Sequence, residues 1–279
     1  MSPLPPLLLL CSLALLARAA SPGVHSLTVE EAVEAGIPLA FSPVTALAAL
    51  HARHAASLPP PGAPQPRASL QPHLPALRQV AQLCASAATV GARDSAPLWA
   101  LFLGLAEAQH AAQAVRQARE QQQQQPLPPV PRAWLHSEPW GAASSHADAP
   151  PALLLPLGRA LGVDVSLGAP GAGPWQLAAA SGGGGGGAAA VDFVLLDGAR
   201  SHGEVLRDLL SLAPRAGKYI GLPHSEYAPR EGGGEPPLHT TGVKAAVFDF
   251  LFVHNNTAAW EVSAHFGNHA GFTLLGRRR

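Results

Sequence analysis

Residues 191–221 read VDFVLLDGARSHGEVLRDLLSLAPRAGKYIG. An apolar run, VDFVLL, stops abruptly at Asp197-Gly198. A short apolar run bounded by turn residues is the pattern of a strand buried in a sheet. Polar residues follow, then a helical pattern over HGEVLRDLLSLA, then a second short strand, KYIGL. Strand, helix and strand in this order make a parallel crossover unit. In open sheets of such units, ligands bind outside the carboxyl ends of the strands. Asp197 stands at that end. It either faces a ligand there or caps the helix that follows.

The rest of the chain extends the pattern. LPALRQVAQLCA places Leu74, Leu77, Val80 and Leu83 on one helical stripe, and AATVG is a short buried strand ending at Gly91. PLWALFLGLAEAQHAAQAVRQARE is a long helix, apolar at its start and polar at its end. RAWLHSEPW gives a strand ending near Glu138, PALLLPLGRALG a helix and VDVSLG a third strand. After KYIGL comes a helix, GVKAAVFDFLFVH. WEVSAHF and GFTLLG then follow, separated only by Gly267-Asn268-His269-Ala270. That gap has no room for a crossover helix, so the last two strands form an antiparallel hairpin. The expected fold is α/β and doubly wound, with a mostly parallel seven-stranded sheet ending in an antiparallel hairpin.

Composition sets outer limits. With 279 residues the chain can bury one sizeable core. Net charge is +0 and charged residues make up 13%, with no basic stripe of the kind that binds nucleic acid. Gly 28 and Pro 29 are gathered in separate tracts. These include LPPPGAPQPR, the run of Gln at 121–125 with PLPPVP, and the glycines at 182–187. They read as low-complexity loops and linkers. Residues 1–19 have the form of a secretory signal, with an apolar run at 7–17 and small residues around Ala17-Arg18-Ala19. Organelle targeting and an uncleaved anchor are the alternatives. The expected organisation is a signal peptide at 1–19, a helical extension and Pro-rich linker at 20–68, and one domain at 69–279. Insertions fall near 119–131 and 180–190. No other stretch is apolar and long enough to span a bilayer stably. The signal reading makes the chain secretory or extracellular, and Asn255-Asn256-Thr257 is then an N-glycosylation sequon. Cys11 lies in the signal, which leaves Cys84 alone, a buried small hydrophobe rather than half of a disulfide or a metal ligand.

The fourth-strand block resembles class I S-adenosylmethionine-dependent methyltransferases, especially the subgroup of cephalosporin-hydroxylase-like and sugar O-methyltransferase-like proteins. There a hydrophobic strand leads into Asp-Gly-Asp-His-Ser-Tyr, a Val-Leu-x-Asp-Leu helix and a Pro before the fifth strand. Asp197, Gly198, Ser201, Val205, Leu206, Asp208, Leu209 and Pro214 match. Ala199, Arg200 and His202 replace the subgroup's Asp, His and Tyr. The first helix–strand–helix block and the closing helix and hairpin extend the similarity over about residues 69–278.

The resemblance implies S-adenosylmethionine as cofactor, held at Gly91, Arg93, Glu138 and Asp197. Glu138 would accept hydrogen bonds from the ribose hydroxyls. It implies Asp197, His202 and His224 as candidate catalytic residues, imidazole being a base that titrates near neutral pH. No metal is implied, and the partner is a small-molecule or sugar acceptor rather than nucleic acid. The first-strand motif departs from the family: Thr89 stands where an acid is usual, and Pro97-Leu98 replaces Ser-Thr. No Asp follows the third strand in SLGAPGAG. Two functions therefore remain: a methyltransferase acting on a small molecule or sugar hydroxyl, and a catalytically inactive protein of the same fold that binds or scaffolds in the secretory pathway. A nicotinamide-dependent oxidoreductase is disfavoured, because no Gly-x-Gly-x-x-Gly follows the first strand.

Overall fold

The computed structural model describes residues 42–58, 70–92, 96–123, 126–139, 151–167, 190–197, 201–223, 225, 242–267 and 271–278. The expected signal, the first part of the expected helical extension, most of the Pro-rich linker, the glycine tract, Arg93, Gly198 to Arg200 and His224 lie outside these residues. All described residues fall within one compact unit, Phe41–Arg279.

Seven strands form one sheet: β1 (Ser86–Ala92), β2 (Ala133–Pro139), β3 (Val163–Leu167), β4 (Val191–Leu196), β5 (Ala216–Pro223), β6 (Trp260–Phe266) and β7 (Phe272–Arg277). Their order is β3-β2-β1-β4-β5-β7-β6. The pairs β2–β3, β1–β2, β1–β4 and β4–β5 are parallel, whereas β7 runs antiparallel to both β5 and β6. The sheet is therefore parallel up to a terminal reversed hairpin, as the short connection after WEVSAHF requires. The switch point lies between β1 and β4, where the chain leaves one half of the sheet and starts the other.

Helices cover both faces. On one side lie α1 (Pro43–Ser57), α2 (Leu74–Gln82), α3 (Ala96–Gln123) and α4 (Pro151–Leu161). On the other lie α5 (His202–Leu212) and α6 (Gly242–Phe248), the latter continuing into a π turn at Asp249–Val253. Successive residues of a strand face opposite layers, so a two-sided sheet needs apolar side chains at almost every position. In β4, Val191 and Val194 join the core under α5 and α6, alongside Val205, Leu209, Ile220, Val247 and Phe250. Phe193 and Leu195 are equally buried. Full burial of such a side chain stabilises by about 1.5–3 kcal/mol. Gly221 permits this packing, because a Cβ there would lie 2.9 Å from the Phe193 ring.

Local signals explain the helix ends. Ser42 caps α1, its hydroxyl accepting from the Thr45 N–H at 3.2 Å, with Pro43 in the first turn. Ser201 and Glu204 close the start of α5 as a capping box, the Ser201 N–H donating to Glu204 Oε2 at 2.9 Å. Two sequence expectations are corrected. The Gln run does not begin a loop: α3 continues through Gln123, as expected of a residue with good helix propensity. Leu83 does not share the inward stripe. α2 ends at Gln82, the chain leaves helical phase, and Leu83 is 63% exposed while Cys84 turns inward. Burial pushes the Cys84 thiol up to about 12, consistent with a packing role.

Candidate functional site

The carboxyl ends of β1, β2 and β4 bring three expected site residues into adjacent positions. Val90 is in register with Glu138 on β2 and with Leu196 on β4. Gly91 and Asp197 are each the next residue along. The Asp197 N–H donates to the Val90 carbonyl at 2.9 Å, so the pairing of β4 with β1 continues one residue beyond the strand itself. Asp197 is only 5% exposed. A carboxylate held out of water in this way is costly unless it meets donors or a positive charge. The N-cap of the following helix is Ser201, which forms a capping box with Glu204.

Gly91 has φ +75, and the β1–β2 register shifts between Val90 and Ala92. The backbone bulges there in the left-handed region that glycine enters without a steric cost. At this strand end Gly91 leaves the backbone without a Cβ. Thr89, in the position where the resemblance expects an acid, is fully buried inside β1 between Ser137 and Leu195. Its hydroxyl carries no charge, so the anchor for an ammonium group that an acid would supply there is missing. Glu138 is placed by its backbone, opposite Val90.

His202 pairs with a second helix. Its Nε2 lies 2.9 Å from Asp249 Oδ2 in the π turn. Its backbone packs against Gly242 at the start of α6, where a Cβ would come within 2.5 Å of the His202 nitrogen. Gly242 and Asp249 are two turns apart, about 10 Å along a helix. The pair therefore ties the start of α5 to the π turn that follows α6. The His202 side chain is 41% exposed. Sequence reasoning could not foresee this pair, since 47 residues separate its members. The turn that carries Asp249 is a π turn, a form that often occurs at functional positions.

Two other features were not anticipated. His136 on β2 is buried, stacks on Trp134 at 5.6 Å and approaches Ser166 Oγ at 3.3 Å through Nδ1. Burial holds it below the ordinary histidine value, so it stays neutral. The second is a concavity of about 730 Å³ lined by Lys218, Tyr219, Glu261, Ser263, Arg277 and Arg278. It lies at the amino end of β5, opposite to the ligand edge. Its cations are engaged: Lys218 with Asp192, Arg278 with Glu261, and Arg277 with the Ala216 carbonyl and the Trp260 ring. Among the described residues no group of three His, Cys, Asp or Glu side chains is placed to hold a metal ion. No described helix is long and apolar enough to cross a membrane.

A sheet of order β3-β2-β1-β4-β5-β7-β6 with only β7 reversed is the class I S-adenosylmethionine-dependent methyltransferase fold. No protein-family model matches the chain, and no curated protein matches it significantly. Solved structures similar in fold include an O-methyltransferase from Bacillus cereus in complex with SAH. It is 11% identical, with a TM-score of 0.47, covering 91% of this chain and 99% of that one. Another is the O-methyltransferase TomG from Streptomyces achromogenes in complex with SAM, 16% identical with a TM-score of 0.44, covering 84% and 90%. A putative O-methyltransferase from Klebsiella pneumoniae is 14% identical with a TM-score of 0.43, covering 95% and 96%.

Proposed function

We propose that the chain binds S-adenosylmethionine across the carboxyl ends of β1, β2 and β4 and methylates a hydroxyl of a small molecule or sugar. The observation that carries this reading is the adjacency of Gly91, Glu138 and Asp197 at three neighbouring strand ends. The residues fit the group in part. Gly91, bare of a Cβ and left-handed, allows backbone to approach a ligand closely. Asp197 offers a buried carboxylate to a positive or hydrogen-bond-donating ligand. Glu138 is the candidate partner for ribose hydroxyls. When bound, the cofactor supplies a methyl group already activated by its sulfonium charge. The chain's own task is then to align an acceptor hydroxyl and take its proton. Asp197, His202 and His224 are the groups proposed to orient or deprotonate the acceptor, and the Asp249 carboxylate beside His202 would stabilise its imidazolium.

A second reading is favoured by Thr89. A neutral, buried residue in place of the first-strand acid removes one anchor for the cofactor's amino-acid end. On this reading the chain keeps the fold as a binding or scaffolding protein of the secretory pathway, delivered there by residues 1–19. Calorimetric titration of the full chain with S-adenosylmethionine and S-adenosylhomocysteine separates the two. Micromolar binding that Asp197→Asn weakens at least tenfold supports the first reading. Absence of binding at millimolar ligand supports the second.

A further inference from the structure

The segment after α6 exposes an apolar surface that the methyltransferase reading leaves unused. The Phe248 and Phe252 rings meet in a tilted arrangement with centroids 4.9 Å apart, and both are more than half exposed. Phe252 is 60% and Val253 67% exposed. Three residues after Phe252 comes Asn255, the acceptor position of Asn255-Asn256-Thr257. No other Asn-x-Ser/Thr triplet occurs in the chain.

The turn holding this triplet is built to present Asn255. Its φ of 52 and ψ of 40 put it in the left-handed region, which asparagine tolerates better than most residues. The side chain is exposed. Asn256 fixes the turn from below: its Nδ2 donates to the Phe250 carbonyl at 2.8 Å, satisfying a backbone acceptor freed near the end of the π turn. Phe250 is itself buried against Trp260. The backbone of Asn255 is therefore set in a defined turn, two and three residues after the exposed Val253 and Phe252.

We propose that Asn255 carries an N-linked glycan whose first sugars lie against Phe252 and Val253, so that the exposed patch is covered by carbohydrate. The apolar C–H face of a pyranose suits the electron-rich face of an aromatic ring. Attachment takes a polyprenyl-diphosphate-linked oligosaccharide as donor. The Asn255 amide nitrogen forms a bond to the anomeric carbon, the bond from that carbon to the diphosphate oxygen breaks, and the amide proton leaves with the lipid diphosphate. The proposal rests on delivery of the chain to the secretory lumen by residues 1–19. It is independent of methyl transfer, so either can fail alone.

The test is translation of the full chain with endoplasmic-reticulum microsomes. Protease protection reads entry, and an endoglycosidase-sensitive shift reads the glycan. The expected result is a protected chain carrying one glycan, lost in Asn255→Gln and in Thr257→Ala and kept in Asn256→Gln. An unprotected chain, or a protected chain without the shift, overturns the proposal. Placement against the patch has its own readout. Enzymatic removal of the glycan from the folded protein raises the fluorescence of an apolar-surface dye, and Phe252→Ser reduces that rise. A glycan whose removal leaves dye fluorescence unchanged overturns the covering role.

Discussion

The Asp197 N–H donates to the Val90 carbonyl at 2.9 Å, so the carboxyl end of β4 is locked to β1 one residue past the strand. This bond fixes the Asp197 backbone beside the end of β1, next to Gly91. A strand ending one residue earlier would leave the carboxylate on a free loop. The function proposed for this edge depends on that fixed placement.

Gly91 has a definite energetic signature. Because φ is +75, an alanine there carries left-handed strain of about 1–2 kcal/mol. Gly91→Ala is therefore expected to lower the free energy of unfolding by about that amount and to weaken cofactor binding. Gly91→Asn loses less stability, since asparagine tolerates this region. Denaturant unfolding of both variants checks it; equal losses would remove the backbone argument.

The His202–Asp249 pair is a tie between α5 and α6. Both side chains are about a third or more exposed, so water weakens the attraction. A double-mutant cycle with His202→Ala and Asp249→Ala is expected to give a coupling of about 0.2–1 kcal/mol. Cofactor affinity should stay unchanged in all three variants. A large loss of affinity in His202→Ala alone would give this residue a direct part in cofactor binding.

Acid sensitivity is expected from α1. Burial holds His54 below its ordinary value of 6.5, with Arg78 and His51 acting in the same direction and Glu107 opposing them. His136 on β2 is lowered by burial as well. A histidine whose folded-state pKa is depressed stays neutral in the fold while the unfolded chain takes up the proton. Stability is therefore full above about pH 6.5 and falls as the pH drops below it. Unfolding free energies measured from about pH 8 to about pH 5 should decline on the acid side, with a shallower decline in His54→Leu. An identical decline in that variant would contradict the assignment.

Glu107 joins three helices. It accepts from Arg78 Nε at 2.8 Å and from Gln82 Nε2 at 2.7 Å, and pairs with His51 at 3.3 Å. Burial works against its charge, but the hydrogen bonds from Arg78 and Gln82 outweigh this and hold its carboxyl below the usual range. Glu107→Gln removes the charge and leaves Arg78 facing a neutral amide. A loss of about 1–3 kcal/mol is expected, since the pair is only partly exposed. The loss is greatest above pH 4.5, where the carboxylate is ionised, and shrinks as the pH falls below that value. Urea unfolding of the variant at neutral pH measures it.

Much of this architecture was legible because burial on two faces writes continuous apolar runs. VDFVLL and AATVG needed no partner to be read as strands, and the short gap between WEVSAHF and GFTLLG dictated the hairpin. Periodicity failed where the chain leaves its period. Leu83 lies one residue beyond the end of α2, so a stripe drawn through it misplaces its side chain. Residues that meet through tertiary contact were equally invisible. Nothing near His202 announces Asp249, and nothing near Val90 announces its bond to Asp197. The carboxyl ends of the strands could be named as the ligand edge from topology alone. Which side chains point there depends on register, and register is set by the whole sheet.

The most direct measurement is calorimetric titration of the full chain with S-adenosylhomocysteine, comparing the parent protein with Asp197→Asn. Thermal unfolding of both proteins confirms that the fold is kept. Binding at micromolar ligand in the parent, weakened at least tenfold in Asp197→Asn, is the predicted result. Absence of binding at millimolar ligand, or binding that Asp197→Asn leaves unchanged, contradicts the site.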